Sequence, residues 1–449
     1  MNRNEFVKHA LNFAMESGCT AAETFYAYNN AFEAGALQGE IDRYSVSRTA
    51  GVSVRVQKNG CDGYAYTECL DDPEALVAHA MDNAACLTVG DEHPMQTKQR
   101  YQKLVFAAPP LVKLPESEKI DLALTLERLT LAADPRVERV VCCNVETREG
   151  GIEMQNTQGL LATREKMSAY CYVEPVVRQG DEVQTGFAFR MGMDAADIEG
   201  CARDAVADAV TRLGGAPVPS GSYRVLLKNT VMADLLSAFS RMFSAAETQR
   251  GCSLLQGLEG QTIANQRITL TDDPFDPIAP RAFDGEGTPC IMKHVIKNGV
   301  LLTLLHNLKT AKKAGVASTG NAVRASAASA VDVGPTVLRL QAGTDDPHTL
   351  LCSMSDGLLI TDLQGLHAGV DAVSGDFSLK AAGRLIEQGK DVRAVSQITI
   401  AGNFLTLLQN VSALGNDGTF TMPSSAYVNC PSVLIDSLQI AGASPNKKP

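Results

Sequence analysis

Residues 283–324 read FDGEGTPCIMKHVIKNGVLLTLLHNLKTAKKAGVASTGNAVR. At the centre, KHVIKNGVLL is a short apolar strand folded back on itself by Asn298-Gly299, a pair that tolerates the positive φ of a tight hairpin turn. The glycines that follow, in GVASTGNAVRASAASAVDVG, match neither a phosphate-cradling loop nor a dinucleotide fingerprint. His294 and His306 flank the turn and would face each other across the hairpin. Two imidazoles without a third ligand make a poor zinc site, so surface or half-buried histidines are the simpler reading.

The flanking sequence has the same texture. YRVLLKN, QRITLTDD, TVLRLQAG, GLLITDLQ, QITIAGNF and PSVLIDSLQIAG read as short apolar strands. Helices are fewer, at 231–246, about 345–355 and 403–414. Asp272 and Asp273 stand before Pro274; neighbours on an extended chain point to opposite faces, so they suit a turn better than a shared proton or metal. Upstream, APVPSGSY (216–223) breaks every periodic pattern and reads as a linker.

The first half alternates helices and strands. A helix is expected over 3–17, with Phe6, Ala10, Phe13 and Ala14 on one face. Val52, Val54 and Val56 alternate before a Lys-Asn-Gly turn, giving a hairpin over 51–66. Asp72 and Pro73 open a second helix, a looser stretch runs over 88–114, and Ser117 is the expected N-cap of a third. Strands follow, with a turn expected at Arg148-Glu149-Gly150-Gly151, and a last helix stops at Gly214-Gly215. The fold class is therefore α+β. Residues 1–216 form an N-terminal α+β domain with an antiparallel sheet and helices, subdivided near 88–114. Residues 222–449 form a mostly-β C-terminal domain with few helices.

Composition narrows the function. The 449 residues carry a net charge of −11, which argues against nucleic-acid binding. No apolar run reaches membrane-spanning length, and MNRNEFVKHALNFAMESG has no apolar signal core. A cytoplasmic location is the expectation, and twelve cysteines without a CxxC pair read as free thiols in a reducing compartment.

Three segments then carry a resemblance: Asp284-x-Glu286-Gly287 through Ser318-Thr319-Gly320-Asn321-Ala322-x-Arg324, GLHAGVDAVSGDFSLKAAGRLIEQGK (365–390), and PSVLIDSLQIAG (431–442), with LTDDP (270–274) in support. In this order they resemble the TldD/PmbA family, also called TldD/TldE or modulator of DNA gyrase. The resemblance implies a zinc metallopeptidase of two related subunits. In TldD-like chains a helix bears HExxxH and a Cys near the C-terminus completes the site; the metal lowers the pKa of a bound water and the Glu acts as general base.

In this chain QRGCSLLQGLEGQ (249–261) fixes the alignment. Leu236-Ser237 then fall where His-Glu is expected, and Arg241 where the second His is expected. LSAFSR stands in place of HExxxH, no His lies between 94 and 293, and no His-Glu pair occurs. The thiolate is missing from GNDGTFTMPSS (415–425), and Cys430 reads as a buried strand residue. An Arg at 241 would oppose a bound cation. The resemblance is thus to the PmbA/TldE-like subunit, with no catalytic residue, metal or cofactor of its own and zinc in a TldD-like partner. It implies a heterodimer with that partner, a homodimer when alone, and unfolded or leader peptides as substrate, with neither nucleic acid nor membrane. The alternative is a non-proteolytic peptide-binding or regulatory protein that kept the fold. Two loops are candidates to line a substrate cleft: Gly320, Asn321 and Arg324, the last able to bind a carboxylate or to pair within the fold, and Gly375, Asp376, Phe377 and Ser378, where Gly375 allows close backbone approach and Asp376 caps N–H groups.

Overall fold

A computed structural model describes residues 1–87, 93–105, 107–192, 197–423 and 426–443. The first half begins with α1 (Arg3–Glu16), capped by Asn2, and the long strands β1 (Ala21–Leu37) and β2 (Glu40–Lys58). β3 (Cys61–Thr67) and α2 (Pro73–Ala85) follow, then α3 (Glu116–Ala132), β4 (Val137–Asn156), β5 (Leu161–Gln179), β6 (Glu182–Thr185), β7 (Ala188–Met191) and α4 (Asp197–Thr211). The strands form one antiparallel sheet in the order β3-β2-β1-β4-β5-β6, with β7 also on β5. Val52, Val54 and Val56 are fully buried against α1 and α2, while Phe32, Val145 and Val173 pack under α3 and α4.

The second half runs β8 (Gly221–Leu227), α5 (Asn229–Phe239), α6 (Ala245–Gln249), β9 (Leu270–Asp272), β10 (Lys293–Lys297), β11 (Val300–Leu301), α7 (Leu308–Ala314), β12 (Ala322–Val323), β13 (Asp332–Val333) and β14 (Val337–Leu340). It ends with α8 (Pro347–Met354), β15 (Gly357–Gln364), β16 (Asp376–Glu387), β17 (Lys390–Asn403), α9 (Phe404–Gln409), β18 (Val411–Leu414), β19 (Thr419–Phe420), β20 (Tyr427–Cys430) and β21 (Val433–Ala441). One sheet is ordered β11-β10-β9-β14-β20-β19; another is ordered β17-β16-β15-β8-β21-β18, and an extra β17–β21 pairing closes its first five strands into a ring. The largest apolar core lies among these sheets and α5. There Phe239 stacks on Phe404 at 4.5 Å. The architecture is mixed α+β with mainly antiparallel sheets.

Several local expectations hold. The Asn298-Gly299 turn joins β10 to β11 with both residues at positive φ, 49° and 81°. Only glycine fits its second position, since a Cβ there would lie 2.3 Å from the Ala264 carbonyl oxygen.

Others are corrected. Arg148-Glu149-Gly150-Gly151 is not a turn but the middle of β4; these glycines make room for β1, because a Cβ on Gly151 would meet the Tyr28 ring at 2.5 Å. Ser117 is not the N-cap of α3; the chain enters through Pro115, which leaves Ser117 inside the first turn. The helix expected over 231–246 is interrupted. Residues 240–243 tighten into a 3₁₀ turn, Ser244 is extended and bridges to Leu305, and its hydroxyl caps α6. The helix expected over 403–414 ends at Gln409, because Val411–Leu414 pair with β21. α7 was not expected: LKTAKKA lacks a long apolar stripe and is set by the Asn307–Thr310 capping box and Gly315 at φ 69°. The linker expected over 216–223 is shorter, because residues 221–223 begin β8 and pair with β21; its first residues are pinned to β17, with Arg393 donating to the Ala216 and Pro217 carbonyls at 2.8 and 3.2 Å.

Candidate functional site

The positions aligned with the zinc helix lie on and just after α5. Leu236 is buried in the core and Ser237 is half-buried. Arg241 sits in the 3₁₀ turn with its guanidinium exposed, 2.5 Å from the Glu247 carboxylate, which Arg250 also approaches at 2.7 Å. An aliphatic chain, a hydroxyl and an ion-paired guanidinium are not zinc donors, so these residues do not fit the metal that the family resemblance implies. Cys430 is fully buried at the end of β20, and burial pushes its thiol far above the usual range. Residues 424 and 425, at the end of the segment where a ligand was sought, lie outside the described residues. His294 does not face His306: its Nδ1 lies 2.9 Å from Thr271 Oγ1 on β9. His306 is buried, which lowers its pKa. Among the described residues no three His, Cys, Asp or Glu side chains are placed to hold a metal.

The two cleft candidates occupy different places. Gly375 (φ 80°) precedes β16, and Phe377 packs edge-on to Phe239 of α5. Here Asp371, not Asp376, caps the turn through the N–H groups of Val373 and Ser374; Asp376 instead accepts from Asn403 Nδ2 at 2.9 Å. Asn321 is fully buried. Its amide donates to Asp272 Oδ2 at 2.8 Å while its oxygen accepts from Lys293 Nζ at 3.0 Å. Lys293 also pairs with Asp272 at 2.8 Å, and Asp272 Oδ1 accepts from Thr336 N. This buried net joins β9, β10 and the Gly320 loop.

Arg324 reaches furthest. Its side chain is only 4% exposed, pairs with Glu23 of β1 at 3.2 Å and lies over the Phe25 ring. Glu23 is shared with Arg55 of β2 at 3.5 Å. Residues 281–285 and 322–328 thereby cap the sheet face opposite α1 and α2, and between cap and sheet lies a cavity of about 550 Å³. Strand alternation sends Ala27 and Asn29 of β1, Gly51 of β2, Ile152 of β4, and Arg164 and Lys166 of β5 to this face. Arg164 donates to the Phe283 carbonyl at 3.1 Å. Burial, then the Arg281 charge, pulls its pKa down to about 10. Desolvation at the wall, then Arg164 and Arg148, lowers the Lys166 ammonium. Beside the cavity Asp284 accepts from the N–H groups of Glu286, Thr288 and Ala322. Burial and then the Asp284 charge raise Glu286 to about 7.

Sequence reasoning reached Arg324 and Asn321, read Asp272 as part of a turn where the structure buries it at the end of β9, and missed Glu23, Arg55, Arg164, Lys166 and Arg281. The two-residue spacing of Arg164 and Lys166 was a visible signal of a shared face. The strand pairing that sets them beside Arg148 was not visible.

Three family models match in chain order: PmbA/TldA metallopeptidase domain 1 over residues 22–84, its central domain over 109–213 and its C-terminal domain over 220–442. Metalloprotease PmbA of Escherichia coli O157:H7 is 25% identical over 98% of this chain and 97% of its own. A crystal structure from Thermotoga maritima, named for modulation of a DNA gyrase, is 30% identical, covers 98% of this chain and 100% of its own, and superposes with a TM-score of 0.91. TldE of Thermococcus kodakarensis shares the fold, with a TM-score of 0.89 at 24% identity over 97% of this chain and 100% of its own.

Proposed function

Because this chain belongs to the PmbA/TldD family of metallopeptidase-related proteins, we propose that it is the PmbA/TldE-like subunit of a cytoplasmic zinc metallopeptidase complex. A TldD-like chain holds the metal, and this chain helps enclose and present an extended peptide. The observation that carries the reading is the fate of the zinc-helix positions: Leu236 is given to the core and Arg241 to an ion pair with Glu247.

A second feature supports the peptide role. β2 pairs with β1 over its whole length but with β3 only from Val52 onward. On that flank, no strand among the described residues pairs with 40–51, and residues 42–50 are exposed. Such an edge accepts an extended chain by strand addition, in which main-chain hydrogen bonds bind without reading sequence. Alone, two copies would meet through related surfaces as a homodimer.

The test is zinc content and casein cleavage, on this chain alone and after co-expression with a TldD-like chain. The expected outcome is under about a tenth of an equivalent of zinc and no cleavage alone, with chelator-sensitive cleavage from the pair. Stoichiometric zinc with cleavage by the single chain would sink the reading. A pair that forms but stays inactive would favour a peptide-binding protein without a proteolytic role.

A further inference from the structure

The cavity under the 322–328 cap is lined by more cations than carboxylates. Arg148, Arg164, Lys166, Arg281 and Arg324 line it, against the single carboxylate of Glu68. The nearby acids are already engaged. Glu146 pairs with Arg148 at 3.3 Å from outside the cavity, Glu23 serves Arg324 and Arg55, and Asp284 is turned to three backbone N–H groups. Yet the Nε atoms of Arg281 and Arg324 are buried without a hydrogen-bond acceptor among the described residues. A buried donor left unpaired is costly, and like charges crowded on one wall disfavour each other. Both costs fall when an anion enters.

We propose that this cavity is a carboxylate-binding site, which takes a free carboxylate of an extended peptide lying against the sheet. The proposal rests on the peptide-binding reading above. Guanidinium groups match a carboxylate with their planar forks, and Lys166 adds a mobile charge at the rim. Small residues, Ala27 and Gly51 on the sheet and Ala325 on the cap, leave the volume that a terminal residue needs. The carboxylate is either the C-terminus of the peptide or an acidic side chain within it, and one assay separates the two.

Fluorescence anisotropy with the full chain alone would use one short labelled Val/Ser peptide in three forms: free acid, C-terminal amide, and amide with one internal Glu. The free acid is expected to bind about tenfold tighter than the amide, a difference of one hydrogen-bonded charge pair. Lys166→Met with Arg148→Met, both at the rim, should cut the ratio below about threefold with an unchanged melting temperature. If the internal-Glu amide matches the free acid, the site takes either carboxylate and the proposal stands. Equal binding of acid and amide by the native chain would overturn it, as would a ratio that survives in the double variant. Phosphate that competes equally with every peptide, with no preference for the acid, would mark a nonspecific basic patch and also overturn it. Because the assay reads binding by this chain alone, an inactive pair with a TldD-like chain would leave it untouched. Equal binding, in turn, would leave the partner-subunit reading intact.

Discussion

Glu286 shows what burial does to one carboxyl. Its Oε2 accepts from the Leu308 N–H at the start of α7, 2.8 Å away, yet desolvation and Asp284 raise it from 4.5 to about 7. Below pH 4.5 it is protonated whether folded or not. Above that, the unfolded chain releases a proton that the folded chain keeps, so stability falls as pH rises toward 7, by about 1.4 kcal/mol per unit for a single group. His306 works the other way: its lowered pKa costs stability as pH falls through its ordinary range, so the native curve is a sum. The informative quantity is the difference between native protein and Glu286→Gln, which keeps an acceptor for Leu308. Melting curves from pH 5 to 8 should show the variant gaining on the native protein by a few kcal/mol; parallel curves would contradict the assignment. None of this was legible in the sequence. Asp284-x-Glu286-Gly287 was visible as a motif, but the burial that shifts its acids comes from segments far away in the chain.

At the scale of elements, short-range signals were legible wherever they were also sufficient. Asn298-Gly299 dictates its hairpin alone, and Asp72-Pro73 opens α2 as expected. Gly299→Ala should cost about 1–3 kcal/mol, since it forces an αL conformation and drives a methyl into the Ala264 carbonyl. Denaturant unfolding that shifts by under about 0.5 kcal/mol would refute that account. Signals failed where tertiary contacts outvoted them. Gly150-Gly151 looked like a turn because the ring of Tyr28, which needs their missing side chains, lies on another strand. The 231–246 helix breaks because Ser244 bridges to Leu305, a contact absent from its own sequence window. The candidate site was legible in the same measure: Arg324 stood in a motif, while its cationic companions lay on β4, on β5 and, for Arg281, between β9 and β10.

Across the whole molecule, the two halves of the chain are joined through a polar clamp. Arg324 pairs with Glu23, Arg164 donates to the Phe283 carbonyl, and Tyr101 donates to the Gly287 carbonyl at 2.7 Å. Phe25, Met154 and Ala162 of the first sheet pack with Phe283 and Ala327 beside these bonds. Arg324→Met would leave Glu23 buried with only the more distant guanidinium of Arg55, 3.5 Å away. The expected loss is about 3–5 kcal/mol, with calorimetry showing the single transition split in two as the halves uncouple. A single, unshifted transition would mean that the apolar contacts alone hold them.

The open flank of β2 carries a cost in the cell. An unpaired edge can accept any other strand, including the same flank of a second copy, and Asp42, Arg43 and Arg48 place charges along it that oppose stacking into filaments. If the chain works as the proposed subunit, copies made in excess of a TldD-like partner would be the first to polymerise and the first to be cleared. On that proposed reading, balanced synthesis of the two chains would be a matter of solubility as much as of activity.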